Sequence, residues 1–334
     1  MSVLNLFKSS AFADLLEKID LRLVDIGARG GMDTDLLPAA WATTAIGFEP
    51  EPEECRTLNL QPSAPWRRTQ YVPTAIGGNN GMAVLHIPPN SVGASLLPHN
   101  PAMVPLYGHP ELHTIERCLN VETLTLDEAC EQFNLGYPDY LKIDVEGAEL
   151  DILSAAPKAL QHCSAIKVET SFLEQRKEQP LMQDVTAYLV SQGFVLADIR
   201  DIHRWRRRSL AGHPYLSQWK IPYSRGIAAQ CDLIFLRNYT EDVTDRVLQR
   251  LILVASILGY FDYAVGILRQ RGCLEQLFLE TTRTNPIDEL SKLSRLMGRS
   301  VVKAEMAARL RSIVPLVRSL VVGIPSNSLQ LRDY

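Results

Sequence analysis

Residues 23–31, Leu-Val-Asp-Ile-Gly-Ala-Arg-Gly-Gly, run from an apolar strand pattern through an acid straight into a glycine-rich turn. Glycine lacks Cβ and enters positive φ at little steric cost, so such a turn lets the backbone come close to a bound group. Glu49 closes the next apolar run, Ala45-Ile46-Gly47-Phe48, eighteen residues beyond Gly31. An acid at the end of the second strand of an open α/β sheet can accept hydrogen bonds from both ribose hydroxyls. Strand, turn and acid together describe a nucleoside-binding crevice.

The remaining pattern agrees with that start. Short β-rich runs at 22–26, 44–49, 70–76, 140–144, 165–169, 194–199 and 231–236 alternate with helical spacing, the cadence of a doubly wound, mainly parallel seven-stranded sheet with flanking helices. Runs at 82–87 and 121–126 lack crossover helices and are expected as a hairpin or edge addition. After Glu241 the strand signals stop, and helical spacing takes over at 243–256, 259–271, 274–282, 287–297 and 301–320, where Pro315 is expected to kink or end the last helix. The expected division is an N-terminal helix (1–20), an α/β domain (21–238) and an all-helical domain (239–334).

A second chemical signal is 138–149, Pro-Asp-Tyr-Leu-Lys-Ile-Asp-Val-Glu-Gly-Ala-Glu, which delivers three acids to the carboxyl end of a central strand. Ligands bind at that edge in open α/β sheets. Charges inside a strand covered on both faces are costly unless paired or functional. The next strand repeats the Lys-x-acid pattern as Lys167-Val168-Glu169, so an in-register parallel pair puts Lys142, Asp144, Lys167 and Glu169 on one face. Asp144 and Glu146 suit hydrogen bonding to a substrate hydroxyl or removal of its proton. Glu149, in a first helical turn, reads as a macrodipole partner.

The glycine turn is not the G-x-G-x-x-G that cradles a pyrophosphate. Asp25, placed before the first glycine, would face a cationic ligand head, which favours S-adenosylmethionine over NAD because a sulfonium and an α-ammonium both welcome a carboxylate. No metal is required, although Asp144, Glu146 and Glu169 offer the hard oxygens that Mg²⁺ takes.

Composition excludes several classes. A chain of 334 residues with 46% hydrophobic content and net charge −4 is globular and lacks the global basic field of a nucleic-acid binder. Residues 239–334 hold 13 Lys and Arg against 10 Asp and Glu, leaving 21 against 28 before them, a mild asymmetry. Six scattered cysteines without C-x-x-C spacing argue against structural zinc and for reduced thiols. No secretory leader and no membrane span is evident, so a cytoplasmic location is expected.

Several loops carry weaker signals. The stretch 201–228 interleaves the run His203–Arg208 with Tyr215, Trp219 and Tyr223, either an acceptor clamp or a basic loop whose aromatics cover the sheet edge. The Pro-rich stretch 87–110 is a candidate lid. His99, His109 and His113 read as exposed loop residues. The segment 301–324 has an amphipathic character that suits packing on a neighbour, a second subunit or a membrane surface.

The motifs D-I-G-A-R-G-G, G-F-E-P, T-A-I-G, G-A-S-L at 93–96, V-E-T-L-T-L-D-E, L-K-I-D-V-E-G-A-E and V-E-T at 168–170 occur in family order, and over about residues 21–200 the chain resembles FkbM-type methyltransferases. The resemblance implies a Rossmann-like class I S-adenosylmethionine-dependent fold and O-methylation of hydroxyls on sugars or natural products. By the same resemblance Asp25, Gly27 and Gly31 line the methionine part of the cofactor and Glu49 its ribose, with Ala28, Gly30, Ala75 and Ile76 completing the cofactor set. Asp144, Glu146 and Glu169 form the methyl-transfer set. Arg29 departs from the family, where Asn is common, and is expected to swing to solvent or touch an acidic substrate. The implied partner is a small-molecule or glycan acceptor, an anionic one included, with homo-oligomerisation through the helical region an option. The alternatives are a non-catalytic scaffold working through its helical tail and a nucleotide-binding oxidoreductase. Four acids converging on one crevice disfavour the first, and the missing phosphate cradle disfavours the second.

Overall fold

The structure is a computed structural model that describes residues 6–208 and 225–322, with 310–322 as backbone. Its strands are β1 (Leu21–Ile26), β2 (Thr43–Phe48), β3 (Arg68–Val72), β4 (Ala75–Ile76), β5 (Gly81–Ile87), β6 (Arg117–Leu124), β7 (Tyr140–Ile143), β8 (Ala165–Ser171), β9 (Phe194–Trp205) and β10 (Ile227–Arg237). The helices are α1 (Ala13–Ile19), α2 (Pro52–Asn59), α3 (Met103–Tyr107), α4 (Pro110–His113), α5 (Leu126–Gln132), α6 (Glu149–Ser154), α7 (Pro157–His162), α8 (Met182–Ser191), α9 (Asp245–Ile257), α10 (Phe261–Gln270), α11 (Gly272–Thr282) and α12 (Pro286–Val322).

Seven strands pair in the order β3-β2-β1-β7-β8-β10-β9, parallel throughout except where β10 runs antiparallel to β8 and β9. The chain winds outward from β1 through β2 to β3 and then returns beside β1 with β7. A doubly wound sheet opens its ligand crevice at such a reversal, outside the carboxyl ends of the two central strands.

Period-2 alternation explains the two faces. Leu21 and Leu23 of β1 join Tyr140, Ala165 and Leu236 in one core, while Val24 and Ile26 join Ile46, Leu141, Ile143, Ile166 and Phe235 in the other. The second core is covered by α5 to α8 through residues such as Ala129, Ile152, Leu160 and Leu189.

The first core is covered by α1 and by α9 to α11, through Leu16, Leu251, Leu268 and Phe278 among others. Helices after residue 238 therefore share one core with the sheet and do not enclose a separate one. Arg250 of α9 pairs with buried Asp139 at 2.5 Å, and Asp139 also accepts from the Arg22 amide, which fastens α9 to the starts of β1 and β7. The last helix is a single element that continues past Pro315, where two helices were expected. Its buried residues end with Leu293, and positions 301–309 are exposed.

Three further details differ from the sequence pattern. The expected strand 70–76 breaks at Pro73, which cannot donate to a ladder; β3 stays in the main sheet and β4 leaves it. The runs expected as a hairpin or edge addition form a separate three-stranded sheet, β4-β6-β5, in which β5 and β6 are antiparallel but joined by the long segment 88–116. The last two strands extend beyond 194–199 and 231–236 as a long antiparallel ribbon.

At the reversal point the two central loops touch. Gly27, at φ +87°, lies so close to the Asp144 carbonyl that a Cβ there would stand 1.9 Å from its oxygen. Gly27→Ala is therefore expected to lower unfolding stability by on the order of 3 kcal/mol, a strained φ adding to a backbone clash; a urea midpoint matching the wild type would contradict this packing. A chain truncated after Asn238 should lose cooperative urea unfolding, because a face of the sheet is stripped; a sharp transition with a native near-ultraviolet spectrum would show that residues 239–334 are dispensable to the core.

Candidate functional site

The crevice begins at the β1 turn. The amides of Gly27 and Ala28 both donate to the Phe48 carbonyl, at 3.2 and 3.1 Å, which bends the chain across the end of β2. Gly30 and Gly31 adopt φ of +79° and +124° and have open space where a Cβ would point, so their requirement is conformational. Of the turn, Gly27 and Arg29 line the crevice. Ala28 is fully buried against Cys55, Leu58 and Tyr71 on the side of α2.

Asp25 does not face the crevice as expected. Its carboxylate is buried, accepts from the Asp33 amide at 2.7 Å and pairs with Lys142 at 3.0 Å. Burial raises its pKa, against the lowering effect of Lys142. At the strand end it shapes the turn and sits against the ammonium beside it.

Glu49 does line the crevice, and only 2% of it is exposed. Burial raises its pKa, while the Glu51 amide and the Arg29 charge oppose that rise. Arg29 does not swing to solvent. It reaches across the crevice mouth to Ser91 Oγ at 2.7 Å, Glu51 at 2.5 Å and Glu49 at 3.3 Å. Both the Arg29 contact and the Glu51 amide fall on Glu49 Oε1, so Oε2 is left for another donor.

The far wall comes from the T-A-I-G and G-A-S-L motifs. Thr74, Ala75 and Ile76 line one side, and Ala94, Ser95 and Leu96 line the other, beside Val145. The stretch 87–110 thus supplies a wall of the crevice. Buried Ser95 donates from Oγ to the Glu146 carbonyl at 2.8 Å, tying this wall to the acidic turn.

Asp144 sits where the crevice meets the carboxyl end of β7. Lys142 Nζ donates to the Gly27 carbonyl at 3.1 Å and pairs with Asp25 at 3.0 Å and Asp144 at 3.4 Å. Burial opposes the charge on Lys142, but Asp25 and Asp144 outweigh it and hold the ammonium above its ordinary range. Lys142 and Lys167 are register partners on one face, as the repeat implies. Lys167, however, pairs with Asp33 at 3.0 Å and Asp232 at 3.3 Å, not with Glu169.

Glu146 and Glu169 lie outside the crevice lining but close to Asp144: one oxygen from each acid falls within 4.8 Å of the others. This trio is the group of acids among the described residues able to hold a cation; Lys142 and Arg176 already oppose two of its members. Glu146 takes a left-handed φ of +60°, ahead of Gly147 at +121°, a conformation that non-glycine residues reach at a cost and that turns its carboxylate toward Arg176. Burial pushes Glu146 up to about 7, with Arg176 opposing and Asp144 adding to the rise. Glu169 rises well above its ordinary value through burial and then the repulsion of Asp144 and Glu146; it accepts from the Gln230 side-chain amide at 2.8 Å. Glu149 is more than a macrodipole partner, since it accepts from the Val145 and Gly147 amides and closes the turn.

Two features escaped the sequence pattern. Arg176, 1% exposed, pairs with Glu146 at 3.0 Å from the loop between β8 and α8. His99 and His113 are buried, not exposed, and burial pushes them down to about 4 and about 3, so both are neutral. The half-buried Trp205 packs on Tyr107, His109 and His113, so this part of the basic run covers the 103–113 segment. Tyr215, Trp219 and Tyr223 lie outside the described residues. No helix among the described residues is long and apolar enough to cross a membrane.

A search of curated proteins finds no match. Among solved structures the chain is similar to the N-terminal domain of EvdMO1 with SAH bound, at 14% identity over 71% of this chain and 81% of that one, with a TM-score of 0.27. The family model described as "Methyltransferase FkbM domain" matches residues 25–196, more than half of the chain, from the acid that ends β1 into β9. The glycine turn, Glu49 and the acidic trio all fall inside that match, and the chain belongs to the FkbM methyltransferase family.

Proposed function

We propose that this protein is an S-adenosylmethionine-dependent O-methyltransferase acting on a hydroxyl of a sugar or a small natural product. The observation that carries the reading is the placement of Glu49 and Asp144 in one crevice at the sheet's reversal point, with Glu146 and Glu169 beside Asp144.

The residues present fit the cofactor. Glu49 keeps Oε2 for the ribose hydroxyls, Gly27 lets the turn close onto the Asp144 carbonyl so that its backbone lines the crevice, and Phe48, Ile76 and Leu85 supply apolar wall for an adenine base. When bound, S-adenosylmethionine supplies a methyl group already activated by its sulfonium. The protein's own task is then to position the acceptor oxygen and take its proton.

In this reading Asp144, more accessible than Glu146, lining the crevice and held by Lys142, orients the acceptor hydroxyl. Glu146, titrating near neutrality, takes the proton as the acceptor oxygen reacts. Glu169, whose hold on its proton is strengthened by burial and by the repulsion of Asp144 and Glu146, adds a third carboxyl group to the cluster. Carboxylates outnumber cations here, with Asp144, Glu146, Glu149, Glu169 and Asp232 against Lys142, Lys167 and Arg176. That balance supports a neutral, hydroxyl-rich acceptor over an anionic one.

Radiolabelled methyl transfer to a panel of sugars and small hydroxylated compounds tests the reading. Glu49→Ala should weaken cofactor affinity by about 10- to 100-fold, the worth of a charge-assisted hydrogen bond. Glu146→Gln should cut turnover by about 10²- to 10⁴-fold and leave cofactor affinity within a few-fold of wild type. Turnover should rise with pH through about 7, since the ionised carboxylate is the working form. Retained turnover in Glu146→Gln would contradict the base assignment, and an unchanged cofactor affinity in Glu49→Ala would contradict the ribose assignment.

A further inference from the structure

Among the described residues, the buried side-chain polar atoms without a hydrogen-bond partner concentrate in one place. They include both ring nitrogens of His99 and of His113 and the Nε and Nη1 of Arg176. Native proteins leave few such atoms, and a group of them marks a site where something other than stability sets the choice of residue.

Arg176 joins three parts of the molecule. Its Nη2 donates to Glu146 Oε2 at 3.0 Å and to the Gly93 carbonyl at 2.9 Å, at the head of the G-A-S-L wall. Its stem lies over Gly147, where an added Cβ would meet Arg176 Cγ at 3.2 Å. Its backbone bridges to His99. An apolar side chain would fill this volume without leaving two donors unpaired, so packing alone does not account for a guanidinium here.

We propose that Arg176 is a positioning residue of the methyl-transfer site, acting through Glu146: it fixes the carboxylate's orientation against the 93–96 wall and supplies the positive charge that faces it. The proposal rests on the reading of Glu146 as the base.

The groups facing Glu146 are Asp144 from the same turn, Glu149 from α6, Glu169 from β8 and Arg176 from the loop after β8, with Lys142 beyond Asp144. Among the groups that set the protonation of Glu146, Arg176 alone favours the ionised form, while burial, Asp144 and Glu149 all favour the neutral one. His99 and His113, neutral behind Arg176, add no competing charge. Removing the guanidinium charge must therefore move the Glu146 titration to higher pH.

Infrared difference titration of the intact protein, referenced to E146Q to isolate the Glu146 carboxyl band, reads this without any acceptor. In R176Q the midpoint should rise by on the order of one pH unit from about 7, while calorimetry gives an unchanged dissociation constant for S-adenosylhomocysteine. R176K keeps the charge but not the two-contact geometry, and its midpoint should rise by less. A Glu146 midpoint identical to wild type in R176Q, or in R176M where R176Q does not fold, overturns the proposal. Failure of the base reading is separate: it appears as full methyl transfer by E146Q, whatever the infrared midpoint does.

Discussion

One partly buried ammonium holds the crevice together. Lys142 touches the Gly27 carbonyl, Asp25 and Asp144 at once, so the turn after β1 and the turn after β7 are fixed to each other through a single group. Asp25 and Asp144 outweigh the desolvation of Lys142, and the contact of Gly27 with the Asp144 carbonyl excludes any larger residue at 27. Everything assigned to the site depends on that junction: Glu49 is placed by the strand beside β1, and Glu146 and Glu149 follow directly from the turn that Asp144 begins.

A second layer of constraint lies behind the acids. Ser95 and Arg176 tie the 91–97 wall to the Glu146 turn, and Arg29 ties Ser91 to Glu49 and Glu51 at the opposite rim. The wall, Glu49 and the acids of the 144–149 turn are thus coupled through charged hydrogen bonds, which are the stronger kind in a partly buried setting. The two cations have different consequences. Arg29 neutralises an acid while leaving one of its oxygens available, whereas Arg176 tunes an acid that burial and repulsion would otherwise keep protonated.

Local signals were the legible ones. The seven strands of the main sheet, the glycine turn and the acidic run at 141–149 are contiguous patterns, and each sits near where its spacing implies. Glu49 and Asp144 meet because parallel strands carry their ends to one edge. Other features depend on contacts between distant segments and leave no local pattern. Asp25 looks like a ligand-facing acid until Lys142 and the Asp33 amide are seen to occupy it. His99 and His113 sit in a Pro-rich loop, yet that loop folds under Trp205 and buries them. Arg176 belongs to a polar run, Glu174-Gln175-Arg176-Lys177-Glu178, that reads as solvated surface. The helices after residue 238 have the spacing of an independent bundle, but their apolar faces lie on the sheet.

The most direct test of the account is calorimetric titration of the intact protein with S-adenosylhomocysteine, run beside NAD. Saturable binding of one equivalent of S-adenosylhomocysteine, with no heat from NAD, is the result this crevice predicts. A folded protein that binds NAD, or that binds neither compound, would contradict the assignment of the crevice to S-adenosylmethionine.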